Sequence, residues 1–223
     1  MLNTKNMSAG SGKPKPVIGV GNQVIKINSI SLDVTPYDKD AFNVTLHVES
    51  KPIEGEFEGF LKDANKPNGP RYAGQVGRVR ISPYPFKDAI LPNSGKQIYK
   101  DSEILKSMIF VSETLGKRAE LDAIEANTIE DFITACNKLF SNSKFINSCI
   151  AGREWENKEG YINYDLFLPR ASKDGIPLES LDVDNSRLIE FNKADHVKAI
   201  TKNVVNVSGF EPVSANKGDD FDL

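Results

Sequence analysis

The chain has 223 residues, 39% hydrophobic and 26% charged, with a formal net charge of -3. That is length enough for one large domain or two small ones, with a core that needs no staples. Two cysteines make no disulfide framework, and no apolar run reaches the length of a signal peptide or a membrane span, so a protein of the cytoplasm with no membrane partner is expected.

Residues 1–16 are Ser, Gly, Lys, Pro and Asn with almost nothing apolar, and read as a flexible N-terminal arm. From residue 17 the composition changes. Val24, Ile25, Ile27, Ile30 and Leu32 mark a strand with imperfect alternation. After a turn at Thr35-Pro36-Tyr37-Asp38, Phe42, Val44, Leu46 and Val48 alternate with Asn43, Thr45, His47 and Glu49, a strand with one wet face. A third strand is predicted near Glu56 to Lys62. A loop with two prolines and a glycine follows at 63–70, and strand character returns from Tyr72 to Ile81. Pro83, Pro85 and Pro92 place 82–98 in a long loop.

The middle of the chain is helical. Ile104, Leu105, Met108, Ile109 and Leu115 follow helical spacing after a cap assigned to Asp101. Thr128 and Asp131 have the spacing of a capping box, ahead of the apolar stripe Ile129, Phe132, Ile133, Cys136, Leu139 and Phe140. Two strands, Phe145 to Trp155 and Tyr161 to Leu168, flank a glycine-ended loop and make a hairpin. Three strands, a helix and two strands is the order of an OB-fold, a five-stranded Greek-key barrel. The expected class is therefore mainly β with inserted helices (α+β) over residues 17–210, with the strand near residue 76 and the second helix as elaborations. Residues 178–207 either complete the barrel or build a homodimer contact.

Catalytic signals are sparse. His47 and His196 lie away from any metal-ligand spacing, and His47 sits on the polar face of its strand. Gly19-Val20-Gly21 lacks the third glycine of a dinucleotide fingerprint, and Gly10-Ser11-Gly12-Lys13 runs into Pro14 where a phosphate loop needs Ser or Thr. Gly74-Gln75-Val76-Gly77 matches a short KH-type loop but falls within a strand. The chain reads as a binding protein with no cofactor, no metal and no catalytic residue.

One segment has the chemistry for such a role. Residues 60–118 carry eleven basic and five acidic side chains, a local charge of +6 in an acidic protein. Lys62, Lys66, Arg71, Arg78, Arg80 and Lys87 would neutralise phosphates, with Tyr72, Tyr84 and Phe86 interleaved as stacking rings. Arg153, Trp155 and Tyr161 flank the loop between the last two strands, a usual OB-fold contact with nucleic acid. A positive groove with aromatic platforms suits single-stranded DNA.

The last residues form an acidic tail, 211–223, with a net charge of -3 and little to bury; it is predicted to be disordered. Asp219, Asp220, Phe221, Asp222 and Leu223 resemble the tip of bacterial and phage single-stranded DNA-binding proteins, in which several aspartates precede a terminal hydrophobic residue. The resemblance is close in the tail and loose in the architecture. The tail has three aspartates rather than a longer run, and ends in Leu223 where many relatives end in Phe. It implies single-stranded DNA binding in replication, recombination or repair, in the host cytoplasm if the chain is phage-encoded. It also implies that the tail docks on replication or recombination proteins such as a polymerase, helicase or recombinase, and competes with DNA for the groove. The other readings are a virion structural or assembly protein, and a metal-dependent nuclease or an accessory subunit.

Overall fold

The computed structural model describes residues 18–51, 75–141 and 143–199. Its centre is a closed barrel. Strand β1 (Gly21–Val34) pairs antiparallel with β2 (Phe42–Ser50), and β2 with β3 (Val76–Arg80). Two short strands follow, β4 (Ala89–Ile90) and β5 (Gln97–Ile98), then helices α1 (Lys100–Leu115), α2 (Arg118–Asp122) and α3 (Ile129–Phe140). Strands β6 (Ile146–Glu156) and β7 (Ile162–Phe167) form the hairpin. β7 runs parallel to β3 and β6 pairs with β1, so the ring β1-β2-β3-β7-β6 closes on itself. This is an elaborated OB-type barrel with inserted helices.

The barrel interior follows from period two. Val44, Leu46 and Val48 of β2 are buried, as are Val79 of β3 and Leu166 of β7. The broken alternation in β1 has a cause. The register with β2 shifts between Ile27 and Ser29, so Asn28 is an extra residue and Ile30, not Ser29, returns inward. The bulge disturbs the ladder, and residues at the end of α3 and just after it supply the partners. The Ile27 amide donates to Ser143 Oγ (2.9 Å) and the Ile30 amide to Asn137 Oδ1 (2.7 Å).

Helix α3 forms as its pattern requires. Thr128 is the N-cap and accepts from the Asp131 amide, while Ile133, Cys136 and Phe140 are buried against the barrel. Helix α1 begins two residues earlier than a cap at Asp101 implies. Tyr99 holds the cap position without a side-chain bond, and the Lys100 amide donates instead to Asp88 Oδ1 (2.8 Å). Gly116 closes α1 in the left-handed conformation (φ 69°).

Two inward positions are glycine for a steric reason. Residues 18–20 pack against the barrel wall, with the Ile18 amide donating to the Val76 carbonyl. A Cβ on Gly77 would collide with the Ile18 side chain, and one on Gly152 would lie 2.7 Å from Val20 Cγ1. Ile18 is itself buried in the core.

Two expectations need correction. The third barrel strand is Val76–Arg80, not an elaboration, and the strand predicted near residues 56–62 lies outside the described residues. The 82–98 segment holds the short β4–β5 ladder, because Ala89 pairs with Ile98 and Ile90 with Gln97. Of the two readings left open for residues 178–207, the described part joins its own barrel. Strand β8 (Leu178–Ser180) extends the β7 side of β6, and after α4 (Lys193–His196) strand β9 (Val197–Lys198) runs parallel to β6 on its other edge. Asn22 clasps this strap. Its Nδ2 donates to the Ile189 carbonyl (2.8 Å) and its Oδ1 accepts from the Phe191 amide (2.7 Å).

Candidate nucleic-acid interface

The outward positions of the barrel strands build the surface in question. In β2 they are Thr45 and His47, paired across the ladder with Arg80 and Arg78. In β7 and β6 they include Asp165, opposite Arg153, and Asn163, opposite Trp155. Lys198 of β9 lies beside Arg153. Tyr84 follows β3, and Arg170 follows β7, which ends at the same end of the barrel because the two strands are parallel.

This surface has two parts with different electrostatics. Over β1–β3, charge is paired. Asp33 Oδ2 accepts from Arg78 Nη2, Thr45 Oγ1 and Ser31 Oγ, each at 3.1 Å. Ser31 Oγ also meets His47 Nε2 at 3.1 Å. Partial burial holds His47 below the ordinary imidazole range. Arg78 pushes the same way, and Asp33 opposes both. Arg80 lies 3.9 Å from Asp165, with a side chain only 20% exposed against 64% for Arg78. Arg80 Nη2 is buried and has no hydrogen-bond partner among the described residues.

Around Tyr84, cations gather that form no ion pair with an acid among the described residues. The ring is 48% exposed. Lys198 Nζ donates to its hydroxyl (3.0 Å) and lies 5.1 Å from the ring centroid, and the Arg170 guanidinium lies 5.5 Å from it. The hydrogen bond from Lys198 and that lysine's charge draw the phenol below its usual range, with Arg170 and Arg153 adding to the effect. Among the described residues no acidic side chain forms an ion pair with Arg153, Arg170 or Lys198. An exposed ring flanked by unneutralised cations can take a flat base on its face and a phosphate at its edge.

The hairpin carries two more rings. Its turn is fixed by Asn157, whose Oδ1 accepts from the Glu159 and Tyr161 amides, and by Gly160 at φ 85°. Trp155 and Tyr161 are exposed there. Trp155 lies two residues from Arg153 on the same face of β6, about 7 Å along the strand.

Of the residues singled out from sequence, the fold brings together Tyr84 and Arg153, with Trp155 and Tyr161 further along the hairpin and Lys87 exposed on the 82–98 segment. Arg78 and Arg80 are outward but committed to acids. Phe86 is half-buried and bridged to Phe42, so it serves mainly as core. Lys62, Lys66, Arg71, Tyr72 and the tail residues Asp219, Asp220, Phe221, Asp222 and Leu223 lie outside the described residues. Sequence reasoning missed Arg170 and Lys198. The only local signal was each residue's place beside an element end, Arg170 just after the last barrel strand and Lys198 in a weakly patterned strap.

Cys136 and Cys149 are free and buried, which pushes their thiols up to about 12 and about 11. Among the described residues no helix is long and apolar enough to cross a membrane. No protein-family model, curated protein or solved structure matches this chain.

Proposed function

We propose that this chain binds single-stranded DNA without sequence preference and protects it during replication, recombination or repair, acting by binding rather than catalysis. The observation that carries the reading is the Tyr84 cluster, an exposed ring with Lys198 on its hydroxyl and Arg170 5.5 Å from its centroid, neither cation ion-paired to an acid among the described residues. Stacking on an aromatic ring contributes about 1–3 kcal/mol per base and tolerates any base. Arg153 and Trp155 extend the same chemistry along β6 toward the hairpin, and the OB-type barrel is a scaffold suited to it. The acidic tip Asp219 to Leu223 would recruit replication or recombination proteins and compete with the strand for the cationic surface.

The test is fluorescence anisotropy with labelled oligo-dT and its duplex form, using the full chain and a chain ending at Phe210, each at low and moderate salt. Tight binding to the single strand, weakening steeply with salt and stronger without the tail, is expected. Equal binding of duplex and single strand, or none, would overturn the reading.

A further inference from the structure

The surface around Tyr84 does not stop at the barrel. It opens into a groove of about 910 Å³ between α1, the 82–98 segment and the 168–177 segment, and Tyr84 and Arg170 line it as well. Phe86 and Phe110 contribute aromatic wall, and Lys87, Lys100 and Lys106 bring positive charge. Glu103 is the one carboxylate lining the groove among the described residues, and it is taken by Lys106 at 2.6 Å. The ammonium groups of Lys87 and Lys100 form no ion pair among the described residues, although the Lys100 backbone amide donates to Asp88, and Lys100 Nζ stands 5.6 Å from the Phe42 ring centroid.

We infer that this groove receives the nucleotides of a bound single strand that lie beyond Tyr84, so that the inserted helix α1 forms one wall of the binding track. The inference rests on the single-strand reading above and extends it to a second binding zone. Three features favour a nucleic-acid strand as the occupant. The groove is continuous with a stacking ring, since Tyr84 and Arg170 belong to both. Among the described residues its cations exceed its carboxylates by three, counting Lys87, Lys100, Lys106 and Arg170 against Glu103. Its apolar wall matches flat bases carried on a chain with one negative charge per residue.

The experiment uses the full chain and labelled oligo-dT of about 4 and about 16 nucleotides, the two ends of the site-size range for one such barrel. The variants are Lys87→Ala with Lys100→Ala, and separately Tyr84→Ala. With the strand in the groove, the double lysine variant binds the long strand several-fold more weakly and the short strand as before. Its salt dependence with the long strand becomes shallower by about 1.4 in the log–log slope, at roughly 0.7 for each phosphate that is no longer neutralised. An unchanged affinity and slope for the long strand, with Tyr84→Ala still weakening both lengths, overturns the groove while leaving the single-strand reading standing. Equal weakening at both lengths also overturns it, because the lysines would then act on the whole surface and not on an extension. Loss of an acidic peptide's binding in the double variant, with strand binding retained, overturns it in favour of a protein occupant. If the unaltered chain binds no single strand, both proposals fail together.

Discussion

The two halves of the outer surface use the same residue types to different ends. Over β1–β3, Arg78 is held by Asp33 and Arg80 faces Asp165, so the local charge is close to balanced. Around Tyr84, Arg153, Arg170 and Lys198 converge with no acidic side chain paired to them among the described residues. Exposed ion pairs contribute only about 0–1 kcal/mol each to stability, but they remove a cation from the pool that can meet a phosphate. Cations left unpaired beside an exposed ring gain little for the fold and are placed for an external anion. Counting basic residues therefore overstates the β3 face and understates the barrel end.

The most forceful way to break this contrast is to remove the ring. Tyr84→Ala should weaken oligo-dT binding by about 5- to 150-fold, the equivalent of one stacked base at about 1–3 kcal/mol. Tyr84 is exposed, so the thermal midpoint should stay near that of the unaltered chain. Arg78→Ala, measured beside it, should cost much less. A larger effect from Arg78→Ala than from Tyr84→Ala would reverse the ranking of the two regions.

The next largest effect comes from a distance. Lys198 reaches Tyr84 because the strap is clasped by Asn22 on β1. Asn22→Ala removes two hydrogen bonds, each worth about 0.5–1.5 kcal/mol, and frees the strap more than the barrel. Hydrogen exchange should quicken over residues 189–198 and stay slow in β2. Strand binding should weaken about tenfold or less. Loss of protection throughout the barrel would instead mark Asn22 as a determinant of the whole fold.

The sequence carried the barrel because its strands alternate and its helix is capped. β2 shows a clean period of two, and Thr128 with Asp131 announces α3. The irregularity of β1 was visible too, but its meaning depended on Ser143 and Asn137, more than a hundred residues away. The candidate site was legible in its rings and in Arg153, and not in its other cations. Eleven basic residues in 60–118 suggested one continuous face, yet the fold spends several on itself. Lys117 donates to the Leu139 carbonyl near the end of α3, Arg118 binds Asp122, and Lys106 binds Glu103. Arg170 and Lys198 join Tyr84 only through the parallel β3–β7 pair and the return of the strap along β6, neither of which a local pattern encodes.

The contrast can also be sharpened by releasing one of the paired arginines. Asp33→Asn keeps an acceptor for Thr45 and Ser31 but removes the charge that neutralises Arg78. If the β3 face borders the strand, the variant should bind oligo-dT a few-fold more tightly, with the salt slope steeper by about 0.7 for one more phosphate neutralised. Unchanged affinity and slope would confine the track to the Tyr84 end and the groove beyond it.

The smallest effect tests whether the β3 face behaves as a balanced network. Burial and Arg78 hold His47 below the ordinary imidazole value, with Asp33 opposing. The unfolded chain takes up a proton near pH 6.5 while the folded chain resists it. The stability associated with a neutral His47 is therefore complete above that pH and is lost as the pH falls from 6.5 through the lower folded value. Urea midpoints between about pH 5 and 7.5 should decline toward acid, and His47→Asn should flatten that part of the decline. Asp33→Asn should steepen it, because the one group that favours the imidazolium is gone while Arg78 remains. A flatter profile in Asp33→Asn would mean that His47 is governed by some charge other than this pair, and the description of β1–β3 as a self-neutralised face would fail with it.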